Sequence, residues 1–236
     1  MAKYNQPDPR NANTWCWVDG LVKREDARIS VLDSVVQGGD AVWEGLRVDG
    51  GRIFQMEEHL QRLQDSAHAL MFTGIPTTSE VQDAIFKTLE ANGMTEGVHI
   101  RLTLTRGAKS TSGMDPRLNI HGCSLIILPE YKGPVYGTGA LRLITSSIRR
   151  NGPSYLDSKI HHNNLLNNIL AKIQANHAGA DDAVMLDDRG FIAETNATNL
   201  FFIYKKVLCT PFGHACLPGI TRAYILDLAR NLNISV

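Results

Sequence analysis

Three short stretches in the second half of the chain carry side chains that could do chemistry. Lys159 lies in Asp157-Ser158-Lys159-Ile160-His161-His162-Asn163-Asn164, just ahead of an apolar helical pattern, where an amine could project into a cleft. A lysine amine attacks a carbonyl only when neutral, so such a role asks for desolvation or a cationic neighbour to bring its pKa down from about 10.4. Glu194 closes the otherwise apolar run Phe191-Ile192-Ala193. A carboxylate held at the edge of a core needs a positive or donating partner, such as a cationic ring nitrogen. Gly219-Ile220-Thr221 opens the last helical pattern, where free backbone amides and the positive end of the helix dipole favour an anion, and Thr221 adds a hydroxyl. Each has a plainer reading too: a solvated lysine, a strand-end carboxylate that solvates a loop, a helix cap without a ligand.

Considered together, an amine, a carboxylate for a pyridinium nitrogen and an anion cup are what pyridoxal 5'-phosphate requires. The first half adds a basic strand face. Val98, Ile100, Leu102 and Leu104 alternate with His99, Arg101, Thr103 and Thr105, the pattern of a half-buried strand. Its polar face carries a histidine and an arginine two positions apart, and a guanidinium there suits a carboxylate bidentately.

The elements that must position these groups follow from periodicity. Residues up to about Arg10 read as a flexible tail and Trp15 to Val22 as a first strand. Gly38-Gly39-Asp40 interrupts the chain before a strand over Ala41 to Val48, and Asp49-Gly50-Gly51-Arg52 has the composition of a hairpin turn. Met56, Leu60, Leu63, Ala67 and Leu70 form the apolar stripe of a helix, with Arg62 one step off it. A second helix is announced by Pro76 and the capping-box spacing Ser79-x-x-Gln82, with Val81, Ile85 and Leu89 on its apolar face and a stop at Asn92-Gly93. Ser124 to Leu128 is a strand, and Pro129 to Gly139 has linker composition.

Beyond it come a strand over Leu141 to Ser146, an irregular stretch to Lys159, and a helix whose expected buried face is Leu165, Leu166, Ile169, Leu170 and Ile173. Ala183 to Leu186, Phe191 to Ala193 and Asn199 to Tyr204 read as an antiparallel array. The last helix should bury Ile225, Leu228 and Leu232. The expected division is a tail over residues 1–14, an α+β domain over 15–130, a linker over 131–139 and a second domain over 140–236.

Composition bounds the partners. The 236 residues hold 24 Lys and Arg against 24 Asp and Glu, so there is no overall pull towards nucleic acid or an anionic membrane surface. The pairs Arg149-Arg150 and Lys205-Lys206 read as solvated loop or hairpin charges. Cys16, Cys123, Cys209 and Cys216 form no C-x-x-C pair and have no histidines at zinc-finger spacing, so buried or half-buried thiols and no metal are expected. Met1 to Thr14 is polar, and no apolar run approaches the roughly 18 to 20 residues that span a bilayer, which makes a cytoplasmic setting the expectation.

The segments Ala41-Val42-Trp43-Glu44-Gly45-Leu46-Arg47, His59-Leu60-Gln61-Arg62-Leu63, Lys159, Gly190-Phe191-Ile192-Ala193-Glu194-Thr195-Asn196-Ala197-Thr198-Asn199-Leu200-Phe201, Thr210-Pro211 and Leu217-Pro218-Gly219-Ile220-Thr221-Arg222 occur in an order that resembles the class IV aminotransferases, most closely their branched-chain amino acid branch. The resemblance runs from about Trp17 to the carboxyl terminus. It implies a mixed α/β, two-domain, fold-type IV pyridoxal phosphate enzyme, with a small α+β amino-terminal domain and a larger pseudo-barrel carboxyl-terminal one, assembled as a homodimer. It further implies that the enzyme moves an amino group from an amino acid to a 2-oxo acid such as 2-oxoglutarate.

By the same resemblance Lys159 would carry the cofactor covalently and Glu194 would face its ring nitrogen. Arg62, Ile220 and Thr221 would hold its phosphate, and Leu217 would lie near the ring. Arg101 and His99 would stand at the substrate carboxylate, with Trp43, Gly38 and Gly39 in the pocket wall. Asn164 would be a further cofactor contact, in place of a tyrosine common five residues after the lysine; His161-His162 replaces small residues, and His99 stands where a tyrosine is frequent. Thr105-Arg106-Gly107 is similar to the D-amino acid and R-amine transaminases and to aminodeoxychorismate lyase, which remain alternatives, as does a cofactor-free interaction dimer. Relatives continue for several tens of residues past the last helix, so the expectation is that a carboxyl-terminal segment is omitted from this sequence.

Overall fold

A computed structural model describes residues 8–136 and 139–236. The chain forms two compact units. The first runs from Asp8 to Val135 and also takes in His161–Asn163; the second comprises Tyr136–Ile160 and Asn164–Val236. Among the described residues no helix is long and apolar enough to cross a membrane.

The first unit contains β1 (Trp15–Val18), β2 (Leu21–Lys23), the single-turn α1 (Ser34–Gly38), β3 (Ala41–Asp49), β4 (Arg52–Ile53), α2 (Met56–Ala69), α3 (Thr78–Asn92), β5 (Val98–Thr105) and β6 (Ser124–Tyr131). The strands form one antiparallel sheet in the order β2-β1-β6-β5-β3-β4. Period-two alternation divides its faces. Val42, Leu46, Val48, Ile100, Leu102, Leu104 and Ile127 are buried, as are Leu60, Leu63 and Ala67 of α2 and Val81 and Ile85 of α3, the two helices that cover the sheet. Register places Gly45 opposite Arg101 and Arg47 opposite His99, so these groups share the other face with Trp43. Gly50 and Gly51, at φ +58° and +71°, make the tight turn that returns β3 into β4, a conformation that side chains with a Cβ resist.

His161–Asn163 lengthens this sheet from far along the chain. Trp43 N donates to His161 O at 2.9 Å, Asn163 N donates to Ala41 O at 2.9 Å, and the Trp43 indole N–H donates to His162 O at 3.2 Å. The segment occupies the β3 edge ahead of the point where β4 pairs.

The second unit contains β7 (Leu143–Thr145), α4 (Leu166–His177), β8 (Asp182–Leu186), β9 (Ile192–Thr195), β10 (Phe202–Tyr204), β11 (Val207–Cys209) and α5 (Ile220–Asn231). β7 and β8 are parallel with α4 as their crossover, and β9 adds antiparallel to β8 with a bulge between Met185 and Leu186. Lys205 and Lys206, both at positive φ, turn β10 into β11.

Several expectations need correction. Of the supposed tail, residues 1–7 lie outside the described residues, but Pro9–Asn13 is a 3-10 helix docked by Asn11, which exchanges hydrogen bonds with the backbone of Tyr131 at 3.0 and 2.8 Å. The first strand is a hairpin, turned at Asp19-Gly20. The capping box at α3 is Thr77 with Glu80, two residues earlier than the spacing of Ser79 and Gln82 suggests, because the Thr77 hydroxyl and the Glu80 carboxylate satisfy each other's backbone N–H groups.

β6 continues through Pro129 to Tyr131, since β1 pairs no further than Ile127 and leaves the proline at a free edge. The linker stretch includes Gly137 and Thr138, which lie outside the described residues. β10 pairs with β11, so the strand expected over 199–204 is shorter and outside the β8–β9 array.

The apolar rows of the last two helices are also reassigned. α4 packs through Ala171 and Ala175 against Ala183 and Met185, while Leu166, Ile169, Leu170 and Ile173 are exposed and Leu165 is half-buried. Alanines four apart let helix and sheet approach closely, and residues two positions from them lie about 200° round the helix. α5 likewise buries Ala229, with Leu228 and Leu232 exposed and Ile225 half-buried.

Candidate functional site

In the first unit an acid sits where alternation predicts an apolar residue. Glu44 lies between Val42 and Leu46 on the buried face of β3 and is 0% exposed. The 3.6-residue period of α2 aims His59 and Arg62 at it. His59 Nδ1 is 2.7 Å from Oε2, and Arg62 donates from Nε to Oε1 at 2.8 Å and from one Nη to Oε2 at 2.6 Å. His161 Nδ1 is 3.1 Å from Oε1. Burial pushes the Glu44 carboxyl up, but the hydrogen bonds from His161, His59 and Arg62 outweigh it and hold it well below the usual carboxylate range. Burial also lowers His161, more than Glu44 raises it, so a neutral ring whose Nδ1–H donates to an ionised Glu44 satisfies both directions. Arg62, expected at a phosphate, therefore has two of its donors committed to Glu44.

The opposite face presents a different arrangement. The Arg101 guanidinium carbon lies 3.4 Å from the centre of the Trp43 ring, and one Nη donates to Asn163 Oδ1 at 3.4 Å. Among the described residues it has no carboxylate partner, and desolvation lowers it to about 10. Gly45 lies between the flanking rings: a Cβ there would come 3.1 Å from His99 Nε2 and 3.6 Å from the Trp43 ring. Burial, and then the charge of Lys132, lowers His99. Trp43, His99 and Arg101 are thus brought together. Gly39 is the left-handed C-cap of α1 at φ +68°.

In the second unit Glu194 is buried on β9, opposite Met185. Arg150 Nε is 2.7 Å from Oε1, an ion pair rather than an aligned hydrogen bond. Asn199 donates to Oε2 at 3.0 Å, and the Leu217 N–H points at the carboxylate at 3.3 and 3.4 Å. Burial raises Glu194, and Arg150 only partly offsets it. Asn199 also donates to Leu217 O at 3.1 Å, which fixes the entry to α5. At Gly219 a Cβ would fall 2.0 Å from Asn199 Oδ1, so the close approach excludes any side chain. Ile220 and Thr221 open α5, and their amides have no partner among the described residues.

Lys159 differs from the sequence expectation of a desolvated amine. Its side chain is 48% exposed and its Nζ lies 3.3 Å from Asp157 Oδ2, so the neighbour is an acid and not a cation. Asn164 is exposed at the turn into α4. Within the second unit, Glu194, Leu217 and the start of α5 are brought together through Asn199, whereas Lys159 is tied to its own loop through Asp157.

Four participants were not singled out for a role in the sequence. Arg150 is 7% exposed and pairs with Glu194, which corrects its reading as a solvated charge; nothing in its local composition separates it from Arg149. Glu44, by contrast, had a signal, a charged residue in phase with Val42, Leu46 and Val48. His59 follows from the α2 period once Glu44 is recognised. His161 depends on a pairing that spans more than a hundred residues.

Comparison with known proteins fits this geometry. The model of the family described as Amino-transferase class IV matches residues 41–236. Branched-chain-amino-acid aminotransferase-like protein 2 of Arabidopsis thaliana is 58% identical over 224 residues, covering 94% of this chain and 40% of its own length. The chain thus spans less than half the length of that relative. The Escherichia coli branched-chain amino acid aminotransferase structure superposes with a TM-score of 0.88 at 30% identity, covering 95% of this chain and 76% of that one. The T.th. branched-chain amino acid aminotransferase, complexed with N-(5'-phosphopyridoxyl)-L-glutamate, gives 0.86 at 31% identity, covering 95% and 75%. The mixed α/β architecture described above is theirs, and the chain belongs to the class IV aminotransferase family.

Proposed function

We propose that the protein is a pyridoxal phosphate-dependent aminotransferase that takes the amino group of a branched-chain L-amino acid and passes it to a 2-oxo acid such as 2-oxoglutarate. The observation that carries this reading is a buried carboxylate at Glu194, linked through Asn199 to a helix start whose Ile220 and Thr221 amides have no partner among the described residues, beside a glycine that admits no side chain; Lys159 offers a primary amine from its own loop. These residues fit the group. Lys159 would hold its carbonyl carbon, Glu194 its ring nitrogen, and Ile220 and Thr221 its phosphate; by the family resemblance Arg62 would be a further phosphate ligand. When bound, the cofactor supplies an electron sink for the substrate α-carbon.

The chain's own residues supply the rest. Lys159 Nζ, once freed by the incoming substrate amine, would serve as the general base for the α-proton and as the acid that gives a proton back. Glu194, desolvated and fixed by Asn199 and the Leu217 amide, presents fixed negative charge and needs no reorganisation during reaction. Arg101, a cation without a carboxylate partner among the described residues, would bind and orient the substrate carboxylate, with Trp43 excluding water from it. A homodimer belongs to the same reading, supported by the exposed apolar rows of α4 and α5. So does a role in branched-chain amino acid biosynthesis in the cytoplasm, the setting supported by four unpaired thiols.

Purified protein mixed with pyridoxal phosphate is expected to develop a visible absorption band that Lys159→Ala lacks. L-leucine should discharge the band and 2-oxoglutarate restore it. A band that Lys159→Ala retains, or one discharged by D-alanine or an R-amine and not by L-leucine, would refute the assignment.

A further inference from the structure

His161 performs no step in the function proposed above, yet it touches both halves of the first unit's machinery. Its Nδ1 lies 3.1 Å from Glu44 Oε1 and 3.3 Å from an Nη of Arg62. Its ring centre is 4.0 Å from that of Trp43, tilted by 41°, and Trp43 is also the ring on which Arg101 rests. The backbone fixes the imidazole in place: His161 N donates to Ser66 Oγ at 3.1 Å on α2, and His161 O accepts from Trp43 N at 2.9 Å on β3.

We propose that His161 is a positioning residue with two separable contacts, an Nδ1–H that holds Glu44 and through it Arg62, and a ring face that holds Trp43 and through it Arg101. The inference rests on the proposed reading in which Arg62 receives a phosphate and Arg101 a carboxylate. The separation follows from the atoms involved. Glu44 lies on the helix-covered face of β3 and Trp43, one residue earlier, points to the other face, so one side chain placed at the strand edge reaches around to both. The Glu44 contact is a directional hydrogen bond to an ionised acceptor; the Trp43 contact is ring packing and needs no donor.

Two substitutions divide these contacts. Asparagine keeps an N–H donor close to the position of Nδ1 and loses the ring; phenylalanine keeps a ring and loses the donor. Affinities for pyridoxal phosphate and for glutarate, as a simple dicarboxylate, are read from Trp43 emission in a Trp15→Phe/Trp17→Phe background. His161→Phe should weaken pyridoxal phosphate about tenfold, the value of a hydrogen bond to a charged group, and leave glutarate unchanged. His161→Asn should do the reverse. In the ligand-free protein His161→Asn should raise acrylamide quenching of Trp43 while His161→Phe does not. His161→Tyr, which also keeps a ring and lacks the Nδ1 donor, replaces the phenylalanine variant if that one does not fold.

Both variants shifting both affinities alike would mark His161 as general packing and overturn the proposal, as would no shift in either. Arg62→Ala and Arg101→Ala separate the two levels. If they weaken pyridoxal phosphate and glutarate respectively while the His161 variants do not, the positioning role alone fails; if they leave both affinities unchanged, the reading of the two arginines fails, and the inference with it.

Discussion

Replacing Glu44 with methionine tests the central arrangement of the first unit. The carboxylate is 0% exposed and accepts four short contacts, from His59, from two nitrogens of Arg62, and from His161. Methionine fills a similar volume but deprives the Arg62 guanidinium, itself only 11% exposed, of its buried counter-charge. Removing one partner of a buried ion pair costs about 3–5 kcal/mol, most of it the uncompensated charge left behind. For a chain of this size, about 4 kcal/mol corresponds to a melting temperature lower by about 8–16 °C. Urea unfolding followed by tryptophan emission measures the loss cleanly, because the three tryptophans, at positions 15, 17 and 43, all lie in the first unit. Glu44→Met/Arg62→Met should recover at least about 1 kcal/mol of the loss, since apolar replacement of both partners leaves no orphaned charge.

The pH dependence carries a sign. The folded carboxyl is held below its ordinary 4.5, so its contribution is complete above that value and drains away as pH falls below it towards the folded pKa. The gap between wild type and Glu44→Met should therefore narrow in acid. A single-variant loss below about 1 kcal/mol at pH 7, or a gap that widens in acid, would refute the reasoning.

Two further outcomes concern the second unit. Gly219→Ala places a methyl 2.0 Å from Asn199 Oδ1 and should displace Asn199 from Glu194, costing about 1–3 kcal/mol and speeding hydrogen exchange at the Leu217 amide; unchanged exchange would contradict the role given to Asn199. Arg150→Met should destabilise the unit strongly, and more at pH 8 than at pH 5. The folded pKa of Glu194 is already raised by burial, so the penalty for an unpaired carboxylate is incurred as pH rises from the ordinary 4.5 through the folded value. Calorimetry showing an equal loss at both pH values would exclude a charged Glu194 as the cause.

How far the sequence could be read varied with the kind of contact involved. Elements with regular periods and wide apolar stripes, such as α2 and the β3–β5 pair, were legible because local alternation and core burial agree. α4 was legible as a helix but not in its orientation, since four large apolar residues outweigh two alanines in any sequence pattern, whereas close packing selected the alanines. At the candidate site, the placement of Glu194 on a strand and of Ile220 and Thr221 at a helix start was legible, and Asn199 explains the spacing of its motif: five residues on, it returns to bond the glutamate. The environment of Lys159, the partner of Glu194 and the hub at Glu44 were not, because each depends on which distant residues the topology brings near. Arg150, identical in local setting to Arg149, is the plainest case.

The strand-like segment His161–Asn163 has a consequence for how the chain is made. The β3 edge remains unpaired along Ala41–Trp43 until a segment 119 residues beyond Trp43 is available to it. At about 5–20 residues per second, synthesis leaves that edge open for roughly 6 to 24 s, far longer than a small sheet needs to collapse. During that interval Glu44 is without one of its donors and Trp43 without its imidazole neighbour. The first unit is thus encoded early but finished late, and a nascent chain arrested before residue 161 would expose an edge able to pair with another strand.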